Sequence, residues 1–135
     1  MKGIDTNVLV RYLVKDDARQ SRAAEMAISD ALTSGQPLAL SLLALMETEW
    51  VLRSQYDFDK ATVIMVIKTL IETEEIAIEH EDIVERSLYL YESSSADFTD
   101  CLMVVRYRVI GCEAMLTFDT RAAKLPGGEL LKAFS

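Results

Sequence analysis

A chain of 135 residues, half of them apolar, is long enough for one domain with a buried core. No stretch reaches the roughly 18 apolar residues of a membrane span, since the longest candidate, Leu38 to Met46, is interrupted by Ser41, and no basic region precedes an apolar run at the N-terminus, so secretion is not expected. A net charge of −8 argues at first against a nucleic-acid partner.

Met1 to Ile4 reads as a short buried strand running into Asp5-Thr6-Asn7. An acid there lies where open parallel sheets place their ligand crevices, or it caps the helix that follows. That helix spans Thr6 to Lys15 and ends near Asp16-Asp17. Asp17 suits the cap of a second helix, Arg19 to Thr33, with apolar positions Ala23, Met26, Ala27 and Leu32. Gly35 stops it and Pro37 blocks its continuation. Leu38 to Ser41 suits a buried parallel strand.

Ser41 to Gln55 returns to helix and carries Glu47, Glu49 and Trp50. Apolar side chains surround nearly all of it, so a helical wheel leaves both glutamates open, and Trp50 is expected in the core. Asp57 and Asp59 are cap candidates for a helix from Lys60 to about Thr73, apolar enough that most of it is expected to be covered. Ile76 and Ile78 alternate within Glu75 to Glu79, which predicts a strand. Glu81 to Ser93 is a helix, Ser93-Ser94-Ser95 a loop, and Asp97 to Ile110 a helix stopped at Gly111. Glu113 to Phe118 reads as a strand followed at once by Asp119. Arg121 to Leu125 is a helical turn ended by Pro126-Gly127-Gly128, and Leu130 and Leu131 add a last edge strand. Strands alternating with helices predict an α/β fold with a parallel sheet covered on both faces, in one domain over residues 1–135.

The charge is unevenly placed. Glu72 to Glu92 holds eight acids and one base, Arg86, a net −7, whereas the rest of the chain is near neutral at −1. Such a run reads as a solvated face. Cys101 and Cys112 fit neither a disulfide framework nor a zinc spacing and read as small buried residues in a reducing cytosol.

Acids fall at or near the carboxyl ends of three predicted strands. Asp5 follows the first, Asp119 follows the last main one, and Glu47 lies about two turns into the helix after the second. Asp100 opens a later helix one turn after Asp97, so those two share a face. A doubly wound fold brings strand carboxyl ends to one edge. Carboxylates gathered there need a cation or bound protons, and hard oxygen donors suit magnesium or manganese. The only histidine, His80, is far along the chain from these acids, which removes a histidine-based triad or metal cage. Metal-assisted phosphodiester hydrolysis fits the set. Asp5 and Asp100 are expected as direct ligands, Glu47 completes the site or takes the water's proton, and Asp119 acts on the far side. Thr6, Asn7 and Thr117 are candidates to orient the carboxylates. Singly, each acid also reads as a helix-start or exposed residue.

With these residues in place, the chain resembles the PIN-domain nucleases, and within them the VapC-type toxins of toxin–antitoxin pairs. The matching pieces are Asp5-Thr6-Asn7, Met46-Glu47-Thr48-Glu49-Trp50-Val51-Leu52, Ala96-Asp97-Phe98-Thr99-Asp100-Cys101-Leu102 and Leu116-Thr117-Phe118-Asp119, in the family's order. The resemblance maps the family's acids onto Asp5, Glu47, Asp100 and Asp119, with Asp97 as an accessory acid. Thr48 stands where many relatives have Leu, which keeps Glu49 open beside Glu47. The resemblance implies a three-layer α/β/α fold with a central parallel sheet of four or five short strands. It also implies a magnesium-dependent endoribonuclease, inhibited by a small cognate antitoxin and frequently a homodimer. Arg11, Lys15, Arg53 and Arg121 lie near the motifs as RNA-steering candidates, although each is otherwise an ordinary surface charge. A catalytically silent PIN-like interaction module is the alternative. A phosphoryl-accepting receiver is disfavoured because Asp57 and Asp59 open a helix instead of following a central strand. A dehalogenase-like phosphatase is disfavoured by Asn at position 7.

Overall fold

A computed structural model describes residues 1–134. They form two compact units, residues 1–79 and 80–134.

The first unit contains α1 (Thr6–Val14), α2 (Ala18–Ser34), β1 (Leu38–Leu40), α3 (Leu42–Tyr56), α4 (Lys60–Glu72) and β2 (Ile76–Ile78). Strand β1 pairs in parallel with β2, from Leu38 opposite Ile76 to Leu40 opposite Ile78. On its other edge, the Ile4 N–H donates to the Ala39 carbonyl at 3.0 Å and the Ala39 N–H to the Lys2 carbonyl at 2.8 Å. The expected first strand is thus an isolated parallel bridge at Gly3, because the chain turns into α1 after only five residues.

Local chemistry sets the helix ends. Asp5, Asp17, Ser41 and Asp59 each accept a hydrogen bond from an N–H three residues on, which starts α1 to α4. Gly35 ends α2 at φ 71°, as its position predicts. Asp57 corrects one expectation. It sits at φ 55° and closes the end of α3, leaving Asp59 alone to open α4.

The buried faces bring further corrections. Helix α2 buries Ser21, Ala24, Ile28 and Ala31, while Ala23, Met26, Ala27 and Leu32 point outward. Small side chains let α2 lie close to α1, and the Ser21 hydroxyl donates to the Arg11 carbonyl at 2.8 Å. Helix α4 buries one face only, that of Val63, Ile64, Ile67 and Leu70, and leaves Met65 exposed. Trp50 is 54% exposed and does not join the core.

The second unit contains α5 (Glu81–Ser93), α6 (Phe98–Val109), β3 (Met115–Thr117), α7 (Thr120–Ala123) and β4 (Gly128–Leu130). Helices α5 and α6 share a core that includes Ile83, Val84, Leu88, Phe98, Leu102 and Val105. Tyr91 and Phe98 stack with ring centroids 5.4 Å apart. Strands β3 and β4 pair in parallel, with α7 between them in sequence. At Gly128 a Cβ would lie 2.4 Å from the Ala122 carbonyl oxygen, so only glycine lets β4 start this close beneath α7. Cys101 is buried as expected, whereas Cys112 is exposed because it follows the end of α6 in a turn. The acids from Glu72 to Glu92 are exposed except Glu75, which is partly covered, so the segment is the solvated face its charge predicts.

Candidate metal centre

In the first unit, Asp5 stands where the chain leaves the edge of β1 and enters α1. Its Oδ1 accepts from the Val8 N–H at 3.1 Å, so Asp5 is a helix cap, with its second oxygen left over for another role. It lines a cavity of about 350 Å³ together with Asn7 and Arg11. Asn7 is exposed and Thr6 is buried, and among the described residues neither side chain donates to the Asp5 carboxylate.

Helix α3 separates the two glutamates that the sequence left open. Glu47 is exposed. Glu49 is fully buried and held by both arms of the Arg53 guanidinium, with Nη2 at 3.1 Å from Oε1 and Nε donating to Oε2. A carboxylate locked in such a fork is committed to structure. Glu47 is therefore the glutamate with a free carboxylate. Two side chains fix the start of its helix. The Ser41 hydroxyl accepts from the Ala44 N–H, and Glu79 Oε1 accepts from the Leu42 N–H at 3.0 Å. Glu79 has a positioning role that sequence reasoning missed. Its only signal was an acid as the last residue of the predicted strand Glu75 to Glu79.

In the second unit, Asp97 is the N-cap residue of α6, yet its side chain makes no capping hydrogen bond. Asp100 follows in the first turn, partly buried, and lines a cavity of about 350 Å³ with Met103, Tyr107 and Thr117. Burial raises its pKa above the ordinary carboxylate value. The charges of Asp119 and Asp97 push it further, and Arg121 opposes them. Asp119 has the reverse environment. Its Oδ1 accepts from the Ala122 and Arg121 N–H groups at 3.2 and 2.8 Å, which lowers its pKa. The Thr117 hydroxyl accepts from the Asp119 N–H at 3.0 Å, so Thr117 orients that residue through its backbone.

The structure thus brings Asp97, Asp100 and Asp119 into electrostatic contact at the starts of α6 and α7. Within neither unit, among the described residues, is a group of three or more His, Cys, Asp or Glu side chains arranged to hold a metal ion. By chemistry the donors do suit one. They are carboxylate oxygens only, and burying Asp100 beside two further carboxylates leaves negative charge that a hard divalent cation would neutralise. Of the four basic candidates, Arg11 pairs with Asp16, Lys15 with Glu25 and Arg53 with Glu49. Arg121 alone forms no ion pair among the described residues, and it faces the Asp100 and Asp119 charges.

Comparison with known proteins adds two findings. A family model described as the PIN domain matches residues 3–128, running through both units. The chain is also similar to a protein named VapC ribonuclease from Aquifex aeolicus (strain VF5). The two are 23% identical over 125 residues, covering 93% of this chain and 92% of the relative. No helix of the described residues is long and apolar enough to cross a membrane.

Proposed function

The chain belongs to the PIN domain family, and from that premise we propose that it is a magnesium-dependent endoribonuclease of the VapC toxin type, acting as a single domain. The observation that carries the reading is Asp100, partly buried beside Asp97 and Asp119 and driven to a raised pKa by burial and their charge. Likeness to a protein named as a ribonuclease supports RNA as the substrate. Inhibition by a cognate antitoxin, a homodimeric state and a cytoplasmic location belong to the same proposal.

In this reading Asp100 and Asp119 of the second unit are ligands of the cation, magnesium or else manganese, and Asp5 and Glu47 are the ligand candidates that the first unit offers. When bound, such a cation polarises the phosphate, offsets its charge and lowers the pKa of a water. The protein's own part is to keep these oxygens free and oriented. The backbone bonds to Asp119 and Asp5 fix both carboxylates at helix starts. Glu47, unburdened by any partner like Arg53, completes the ligand set or takes the proton of the attacking water on its carboxylate. Arg121 offsets part of the acids' charge as an RNA phosphate approaches.

Cleavage of defined RNAs by the purified chain, with and without magnesium and with Asp100→Asn as the control, tests the proposal. Cleavage that needs both the metal and Asp100 supports it. A folded chain that cleaves no RNA in either condition would favour the catalytically silent interaction module.

A further inference from the structure

The cavity of about 350 Å³ that Asp5 lines is walled by α1 and α2 within the first unit, and Arg11 and Gln20 stand in the same wall. Arg11 is held there by its neighbours. Its Nε donates to Gln20 Oε1 at 2.7 Å, and its Nη1 donates to Asp16 Oδ1 at 3.0 Å and to the Tyr56 hydroxyl at 3.2 Å. Tyr56 donates in turn to Asp16 Oδ2 at 2.8 Å, which closes a ring of three side chains. A guanidinium carries five N–H donors. The two on Nη2 have no partner among the described residues. The Gln20 carbonyl oxygen is committed to Arg11, which fixes the amide and leaves its NH₂ donors unused.

The positive charge of Arg11 is already answered. Asp16 pairs with it, Asp17 adds to the same field, and Asp5 is a further acid in the wall. An anionic occupant would meet a negative surrounding. The free donors therefore suit a neutral group that presents acceptor atoms. Val8 and Ala24 supply an aliphatic surface for an apolar face of that group.

We infer that this cavity is a subsite for a guanine base of the RNA substrate, in which Arg11 Nη2 and the Gln20 amide donate to the base's O6 and N7. Guanine is neutral and carries these two acceptors side by side on one edge. Adenine and cytosine would set an amino group against donors, and uracil has no second acceptor beside its O4. Unstacked bases of single-stranded RNA are read on such edges. The inference rests on the ribonuclease reading for RNA as the source of the base, while the recognition itself does not.

The test is an NMR titration of isotope-labelled protein, without magnesium, with the monophosphates of guanosine, adenosine, cytidine and uridine. Ribose and phosphate are common to all four, so differences read the base. Guanosine monophosphate is expected to bind at least about fivefold tighter than each of the others, the lower end of what a paired base contact discriminates. It is expected to move the Gln20 side-chain amide and Arg11 Nε–H signals. Gln20→Glu removes the amide donors at an exposed position in the first turn of α2, where an acid suits the helix. Arg11→Lys keeps the charge and loses the planar fork. Each is expected to erase the preference for guanine. With magnesium, a uridine hexanucleotide carrying one guanine is expected to show a higher kcat/KM than one without, an advantage that Gln20→Glu loses. Equal affinity for the four nucleotides, shifts confined to other residues, or a preference that survives in both variants would overturn the inference. Selective binding with no effect of guanine on cleavage would overturn RNA as the source and leave a free guanine nucleotide as the ligand. Selective binding by a chain that cleaves no RNA would sink the ribonuclease reading and support the guanine site.

Discussion

Glu47 and Glu49 sit two residues apart on α3, and replacing each by Gln is expected to damage different properties. Glu49 is fully buried, and its carboxylate receives both arms of Arg53. Removing one partner of a buried ion pair costs about 3–5 kcal/mol, because the other charge is stranded. Here the Arg53 side chain keeps 31% of its exposure and rehydrates in part, and Gln retains one acceptor oxygen. The expected loss is therefore reduced to about 2 kcal/mol. For a chain of this length that lowers Tm by roughly 5–10 °C. Glu47 is exposed, and exposed substitutions stay within about 0.5 kcal/mol, so Glu47→Gln leaves Tm close to the parent value. Activity divides the other way. Glu47→Gln abolishes magnesium-dependent RNA cleavage, while Glu49→Gln cleaves at near-parent rates at temperatures where it is folded. Thermal unfolding by circular dichroism and a cleavage assay at 20 °C read both. A Glu49→Gln variant with parental Tm and lost cleavage would refute the assignment and move the site glutamate to position 49.

Three further outcomes are expected. Ionised Asp100 costs stability, since its folded pKa is raised, so Asp100→Asn without metal unfolds at a higher temperature near neutral pH. That advantage shrinks as pH falls through the raised pKa and is gone below the ordinary carboxylate range; a Tm difference independent of pH would contradict it. Magnesium raises the Tm of the parent but not of Asp100→Asn, because only a cation bound to the native state adds stability; equal shifts in a thermal melt would remove Asp100 as a ligand. Asn caps a helix as well as Asp does, so Asp5→Asn and Asp119→Asn keep the parental Tm and lose cleavage, whereas Asp119→Ala also lowers Tm. Either Asn variant cleaving like the parent would discount that residue.

Much of this was legible in the sequence because local chemistry dictates it. Asp17, Gly35 and Asp59 end or begin helices through backbone groups a few residues away, and such rules need no tertiary knowledge. The α/β alternation followed from the same punctuation. Side-chain facing was harder to read. The apolar pattern of α2 pointed to Met26 and Leu32, yet the packed face is Ser21, Ala24, Ile28 and Ala31, since close approach to α1 rewards small volume over hydrophobicity. Helix α3 is apolar on almost every side, so only its packing reveals that Glu49 is inside and Glu47 outside. The spacing of Asp97 and Asp100 foretold their shared face. Nothing in the order of residues signalled that Glu79 reaches back to Leu42, because that bond spans 37 positions.

The opposite settings of Asp100 and Asp119 make the acids discharge in sequence. On acidification the first proton goes to Asp100, where burial and neighbouring charge favour it. Asp119, fastened to two N–H groups, keeps its charge into more acid solution. Helix α7 therefore keeps its anchor after the crowding beside it has been relieved, because the proton that Asp100 takes up leaves the turn held by Asp119 intact.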